Sequence, residues 1–193
     1  MNGYISHARS RGEPTKEGRK TSHWLLLEEW VKEFGWEFGA EIGLQRGWTI
    51  CHLLENCPDL SMIGVDQWIE IPDTGEEGWQ SYDHIDLDYW AAKVKNRVAA
   101  YGERGRVLHM SSLDAAELIK TESLDFVFID ANHTERGCAE DIAAWGPTVK
   151  PGGWVCGHDH QYPAVVRVLD RMLPGWERHD HLCWRAPKAS LCL

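Results

Sequence analysis

Three groups of residues in this 193-residue chain have types and spacings suited to chemistry. The first is Glu41-x-Gly43-x-x-x-Gly47 with Thr49 behind it. Gly47 can take a positive φ or let a ligand reach the backbone where a Cβ would obstruct it. A dinucleotide fingerprint needs G-x-G-x-x-G so that amides touch a pyrophosphate. Here the glycines are spaced differently, and a carboxylate two residues before Gly43 would repel a diphosphate. It suits a cationic ligand carrying an ammonium group and a sulfonium. The second group is Asp66, which closes an apolar run and is followed by Gln67 and Trp68. The third is Asp130, with His133 beyond it, and the His158-Asp159 pair. Two carboxylates and an imidazole brought together repel or desolvate one another unless a cation compensates. A divalent metal would do so, oxygen ligands suiting Mg²⁺ or Mn²⁺.

These residues need elements to position them. Ala40 and Ile42 flank Glu41 in a strand, and the helix after Gly47 carries Ile50, Leu53 and Leu54 on one face. Asn56-Cys57-Pro58 stops it, and Ser61 to Val65 is a second strand ending in Asp66. Such a βαβ unit binds a nucleoside-bearing cofactor in the crevice beyond the strand C-termini. Ser22 is placed to cap a helix running to about Phe34, striped by Trp24, Leu27, Val31 and Phe34. Trp90, Val94, Val98 and Tyr101 mark another helix, with Gly102 as its expected cap. Arg106 to His109 reads as a third strand, and Leu124 to Ile129 as a fourth, buried on both faces. Cys138, Ile142 and Trp145 mark a helix, and Pro147 to Gly153 a turn-rich break. Trp154 to Gly157 is the fifth strand, delivering His158-Asp159-His160. A helix from Pro163 to about Leu173 and an antiparallel pair within Trp176 to Arg185 complete the chain, with frayed last residues. If strands four and five are neighbours, about 4.8 Å apart, Asp130 and His158-Asp159 emerge side by side. The second His-Asp-His, His179-Asp180-His181, falls in the terminal pair and reads as a solvated turn.

The resulting fold class is α/β: a doubly wound, Rossmann-like, mostly parallel seven-stranded sheet with a terminal antiparallel pair. Residues 1–21 are polar with few apolar anchors and read as a mobile arm; residues 22–193 read as a single domain. Residues 67–87 keep no period and form a lid or insertion above the crevice, with Trp79 and Tyr82 available to line an acceptor site. A net charge of −10 argues against a nucleic-acid backbone as main partner. No run of apolar residues is long enough to span a membrane, and no signal-peptide pattern appears. The six cysteines never form C-x-x-C, which suits a reduced, cytoplasmic setting.

The stretch from Gly39 to Trp68 resembles the first motif of class I S-adenosylmethionine-dependent methyltransferases, and the methyltransferase form of the doubly wound fold is the one this implies. The resemblance spans about residues 37 to 160. It implies that Glu41, Gly43, Gly47 and Thr49 hold the methionine end and Asp66 the ribose. Ser112 would read the adenine, Trp68 would stack on it, and Gln67, Leu113 and Asp130 complete the cofactor set. Within that class, Asp130 and the pair after the proline-glycine-glycine turn resemble the metal-assisted small-molecule O-methyltransferases, such as the catechol and macrolide-sugar enzymes. Asp130, His158 and Asp159 would then hold Mg²⁺ or Mn²⁺, although His158 stands where an acid is expected. His133 falls where the catechol enzyme carries its basic residue, so Asp130 and His133 are the catalytic pair. With a pKa ordinarily near working pH, His133 could take the acceptor hydroxyl's proton. The expected partner is a small-molecule acceptor; no nucleic acid and no membrane are implied, and a homodimer is compatible. A metal-free methyltransferase with His133 as sole base and a non-catalytic cofactor-binding module are the alternatives, with an NAD-dependent oxidoreductase third.

Overall fold

The computed structural model describes residues 22–193, so the expected N-terminal arm lies outside it. Seven strands form one sheet in the order β3-β2-β1-β4-β5-β7-β6. They are β1 (Phe38–Ile42), β2 (Ser61–Asp66), β3 (Gly105–His109), β4 (Leu124–Ile129), β5 (Val149–Gly157), β6 (Glu177–Arg178) and β7 (Trp184–Pro187). The first five run parallel; β7 is antiparallel to both β5 and β6. The chain reverses its direction of travel across the sheet between β1 and β4, where ligands of open α/β sheets sit.

Among the described residues six α-helices cover the sheet: α1 (His23–Phe34), α2 (Trp48–Asn56), α3 (Leu87–Ala99), α4 (Ser112–Glu117), α5 (Glu135–Trp145) and α6 (Pro163–Met172). One apolar layer gathers α1, α2 and α3, with Leu27, Trp30, Leu53, Val94 and Phe128 among its members. The other gathers α4, α5 and α6 through Ala115, Ile142, Trp145, Val168 and Leu169. Alternation along the strands feeds both layers: in β4, Phe126 and Phe128 face one, Val127 and Ile129 the other.

Register brings the functional residues to one level. Ile42 pairs with both Val65 and Ile129, and Ile129 pairs with Gly157. Gly43, Asp66, Asp130 and His158 therefore leave their strands side by side at the C-terminal edge of the sheet. The ladder runs on past the strand ends through Gly43 N to Val65 O (2.9 Å), Asp130 N to Ile42 O (2.8 Å) and His158 N to Ile129 O (3.1 Å).

Three expectations change. The Pro151-Gly152-Gly153 break lies inside β5, as a register irregularity against β4. Gly152 takes φ +82, and a Cβ on Gly153 would come within 2.5 Å of the Asp125 carbonyl, so the glycines let a kinked strand keep pairing. Helix α3 is closed at Ala100, while Gly102 opens a separate short turn. The C-terminal residues pack instead of fraying: Cys192 N donates to Met172 O at 2.8 Å, and Leu191 lies against Gly146. All six cysteines are unpaired, and no helix among the described residues is long and apolar enough to cross a membrane.

Candidate active site

A cavity of about 820 Å³ opens over the strand ends. Glu41, Gly43, Thr49, Asp66, Gln67, Trp68, Ser112, Leu113, Asp130, His133, His158 and Asp159 all border it; Gly47 does not. Gly47 has φ +65, and a Cβ there would strike Val94 at 2.7 Å. Its freedom serves the left-handed turn into α2 and the packing of α3 behind that turn, not the approach of a ligand. Gly43, with φ +91, lies so close to the neighbouring strand end that a Cβ would sit 2.2 Å from the Asp130 carbonyl oxygen.

Glu41 is 2% exposed at the cavity floor. Thr49 and the Ile50 amide bond its carboxyl, while its Oε2 has no partner. Burial, then the charge of Asp130, raises its pKa well above the carboxylate range. Thr49 Oγ1 is itself bonded to His23 Nε2 at 2.8 Å. His23 opens α1, borders the cavity and packs 4.6 Å from the His158 ring; burial lowers its pKa to about 4, so it is neutral. The helix stripe gave no cue to this role, because His23 lies beside the stripe on the residue after the cap.

Asp66 fastens the glycine turn. Its Oδ2 accepts from Leu44 N (2.9 Å) and Gln45 N (2.7 Å), and its Oδ1 from Trp68 N (2.7 Å). Trp68 is only 5% exposed; its indole N–H donates to Gln45 O at 2.8 Å and its ring meets His109 edge-on. Helix α4 is capped by Ser111, whose side chain accepts from Asp114 N. Ser112 Oγ donates to Asp141 Oδ1 and accepts from Trp145 Nε1 at 3.0 Å. Asp141, on α5, went unread in the sequence although a signal was there: it lies three residues after Cys138 and four before Trp145, on the buried face of the helix.

At the other end of the cavity four titratable side chains converge. His133 Nε2 is 2.7 Å from Asp159 Oδ2 and 3.7 Å from Asp130 Oδ1; His158 Nδ1 is 3.1 Å and 3.7 Å from the same two oxygens. Burial alone would lower the pKa of His133, but the flanking Asp130 and Asp159 outweigh it and raise it to about 10. His158 is raised too, against its burial, chiefly by Asp159. Asp159, which burial would raise, is held far below the carboxylate range by both imidazoles. An imidazole titrating near neutrality, as expected for His133, is therefore not what this cluster provides: at neutral pH it holds a proton. Its Nε2 nevertheless has no partner in hydrogen-bond alignment. Asp130, His133 and Asp159 place one ligand atom each within 4.8 Å of one another, which substitutes His133 for His158 in the expected metal set. Asp159 takes φ +66, and Gln45, Trp68 and Leu182, also non-glycine residues with positive φ, border the same cavity. Such strain concentrates at functional sites.

Residues 67–86 contain no helix or strand and roof the site. Gly78, φ +92, lies on the His133 carbonyl; a Cβ would approach that oxygen to 2.1 Å. Gln80 donates to Tyr162 OH at 2.7 Å, and Tyr162 stacks on His133 with centroids 5.4 Å apart. Arg167 ties the roof to α5 through Glu77 and Glu135, both at 2.9 Å. Tyr82 borders the main cavity, whereas Trp79 lines a smaller neighbouring one and donates to Ile71 O at 3.0 Å. In the second His-Asp-His, Asp180 and His181 are exposed, as expected of a solvated turn, but His179 is half-buried against the Trp30 ring, and the adjoining Leu182 borders the cavity.

The strand order, the switch point and the acid-bearing glycine turn define a class I methyltransferase fold. A methyltransferase-domain family profile matches residues 40–160, and the chain belongs to that family, as an S-adenosylmethionine-dependent methyltransferase. No curated protein matches it significantly. Among solved structures it is similar to a candidate caffeoyl-CoA O-methyltransferase from Staphylococcus aureus, at 14% identity and TM-score 0.61, covering 86% of this chain and 82% of the other. A candidate O-methyltransferase from Klebsiella pneumoniae superposes at 14% identity and TM-score 0.59, covering 86% and 78%. The O-methyltransferase TomG from Streptomyces achromogenes, solved with S-adenosylmethionine, gives 16% identity and TM-score 0.55, covering 86% and 79%. At these identities the likeness establishes the fold.

Proposed function

We propose that this enzyme moves a methyl group from S-adenosylmethionine to a hydroxyl oxygen of a small molecule, with a divalent cation assisting. The observation that carries the reading is Glu41: a carboxyl buried to 2%, with one oxygen unpartnered, at the floor of a large cavity. Burying such a group is costly unless something pairs with it, and the methionine ammonium supplies the charge it lacks. Gly43 and Thr49 border the same end. Asp66, with Oδ1 accepting one bond and open to another, is the acceptor for a ribose hydroxyl. The O-methyltransferases among the structural neighbours support oxygen as the acceptor atom.

The residues at the other end fit a cation. Asp130, His133 and Asp159 would hold it, a mixed nitrogen and oxygen set that suits Mn²⁺, Fe²⁺ or Zn²⁺ better than Mg²⁺. When bound, the ion polarises and acidifies the acceptor hydroxyl. His158, 3.1 Å from Asp159, and Gln161, 2.5 Å from its other oxygen, orient that carboxylate. To serve as a ligand His133 would have to give up the proton that Asp130 and Asp159 otherwise hold on it. The acceptor hydroxyl gives up its proton to solvent at the cavity mouth, and its oxygen bonds the methyl carbon as the carbon–sulfur bond breaks and the thioether leaves, so the work of the chain is alignment of that oxygen with the methyl group. The roof over residues 67–86, with Tyr82, Gln80 and Tyr162, serves as lid and acceptor wall.

Calorimetric titration with S-adenosylmethionine tests the first half. Wild type is expected to bind, and Glu41→Gln to bind at least about 10-fold more weakly, for loss of a charged hydrogen bond. Equal affinities would remove the ammonium from Glu41. Activity on a panel of hydroxylated acceptors should fall with EDTA and return with Mn²⁺; activity indifferent to both would leave a metal-free transferase.

A further inference from the structure

We infer that Asp141 is the specificity-determining residue for the nucleobase, accepting a hydrogen bond from the exocyclic amine of adenine. The inference rests on the cofactor reading above and refines it, because the hydroxyl of Ser112, the group first expected to read the base, has given its proton to Asp141, which leaves the carboxylate as the stronger acceptor.

Trp145 Nε1–H donates to Ser112 Oγ at 3.0 Å, and the Ser112 hydroxyl proton is given to Asp141 Oδ1. The relay has a direction: an indole can only donate, so it turns the hydroxyl toward the acid. Ser112 has no proton left for a ligand. The acid at the end of the relay is 4% exposed and borders the main cavity, where Ser111, Leu113, Asn132, Gly137 and Glu140 surround the same end. Among the described residues no Lys, Arg or His forms a salt bridge with Asp141, and its one hydrogen bond is the one that Ser112 gives to Oδ1. A buried carboxylate with one oxygen held by a hydroxyl and the other facing a cavity is an acceptor without a donor. Burial is also the first cause that lifts its pKa to about 6, with Glu140 adding to it and Ser112 and His133 opposing.

A 6-amino purine offers the missing N–H. A 6-oxo purine presents a carbonyl oxygen at the same position, and two acceptors then face each other with no water between them. A site built around one hydrogen-bonding group rejects the analogue that lacks it more strongly than an apolar pocket can. Asp141 makes no ion pair with Asp130, His133 or Asp159, so its expected effect is on cofactor binding.

The test is calorimetric titration of wild type and Asp141→Asn with S-adenosylhomocysteine and S-inosylhomocysteine. Wild type is expected to prefer the amino compound by about 10- to 100-fold, the range for one charge-assisted hydrogen bond. In Asp141→Asn the Ser112 hydroxyl holds the amide oxygen, the amide N–H₂ faces the ligand, and the preference collapses or reverses. Should that variant fail to fold, wild type and Ser112→Ala decide: the acid survives in both, so both should keep the preference. Equal affinity of wild type for the two compounds overturns the assignment while leaving the cofactor reading intact, as does an unchanged preference in Asp141→Asn. No binding of either compound to wild type overturns the cofactor reading and this inference with it.

Discussion

Asp141 also carries a consequence for stability that needs no ligand. Its carboxyl has a pKa lifted from 3.8 to about 6 by burial, so the folded protein binds a proton there more readily than the unfolded chain does. Stability from this group is full below about pH 4 and declines as pH rises through about 6, because the unfolded state then holds fewer protons than the folded one. Glu140 strengthens the effect and His133 weakens it. Asp141→Asn removes the buried charge, and the gain is bounded by about 3 kcal/mol at pH 7.5, from about two pKa units. Thermal melts should show a Tm raised by several degrees at pH 7.5 and unchanged at pH 4. A Tm lowered at both values would mean that the Ser112 bond outweighs the charge. At this scale the sequence was legible where a residue's role follows from its strand position. Asp130, Asp66 and His158-Asp159 emerge together because parallel strands end in register. It was illegible where the role depends on what else is buried: His133 holds a proton because Asp130 and Asp159 close on it, and no spacing in the chain states that distance.

Among elements, the stretch between β2 and α3 is the one whose character the sequence showed and whose attachment it did not. Absence of a period over 67–86 made it irregular; its seating on α5 and α6 depends on Gly78, Glu77 and Gln80 meeting residues about 50 to 90 positions later. Gly78 combines φ +92 with backbone contact against His133, two features that no other residue type meets. Gly78→Ala must therefore shift the roof or the His133 segment. Because Glu41, Gly43 and Thr49 lie on different elements, we expect the cofactor affinity to change by less than about threefold. The acceptor's KM should rise by about 10-fold or more, on the scale of a misplaced positioning contact. Steady-state kinetics with each substrate varied in turn separates the two; a cofactor affinity that falls in step with acceptor KM would mean that the roof covers the whole crevice. The Pro151 to Gly153 stretch shows the opposite failure: turn-forming residues overridden by pairing, since β4 on one side holds β5 in the sheet through the kink.

For the molecule as a whole, the alternation of strands and helices gave the doubly wound sheet, and the terminal antiparallel pair followed from the last turn-rich segment. What binds across the switch point touches β1, β2, β4 and β5 and the helices of both apolar layers, because the cavity is bordered by Thr49 from α2 and Asp141 from α5. A ligand there links the two halves of the molecule and is absent from the unfolded chain. Occupancy at 100 times its Kd stabilises the folded state by about 2.7 kcal/mol. For a chain of this size that corresponds to a Tm rise of about 5–10 °C. S-adenosylhomocysteine should produce this shift in differential scanning fluorimetry. NAD should produce none, because its diphosphate would meet a turn that lacks the second close glycine, and the buried acid of Glu41 gains nothing from an anion as it would from an ammonium. A shift with NAD and none with the thioether would reverse the order of those two readings, since both ligands share the adenosine and differ in what they extend from its 5′ carbon. The contrast between them measures how far one buried carboxylate sets what the whole fold accepts.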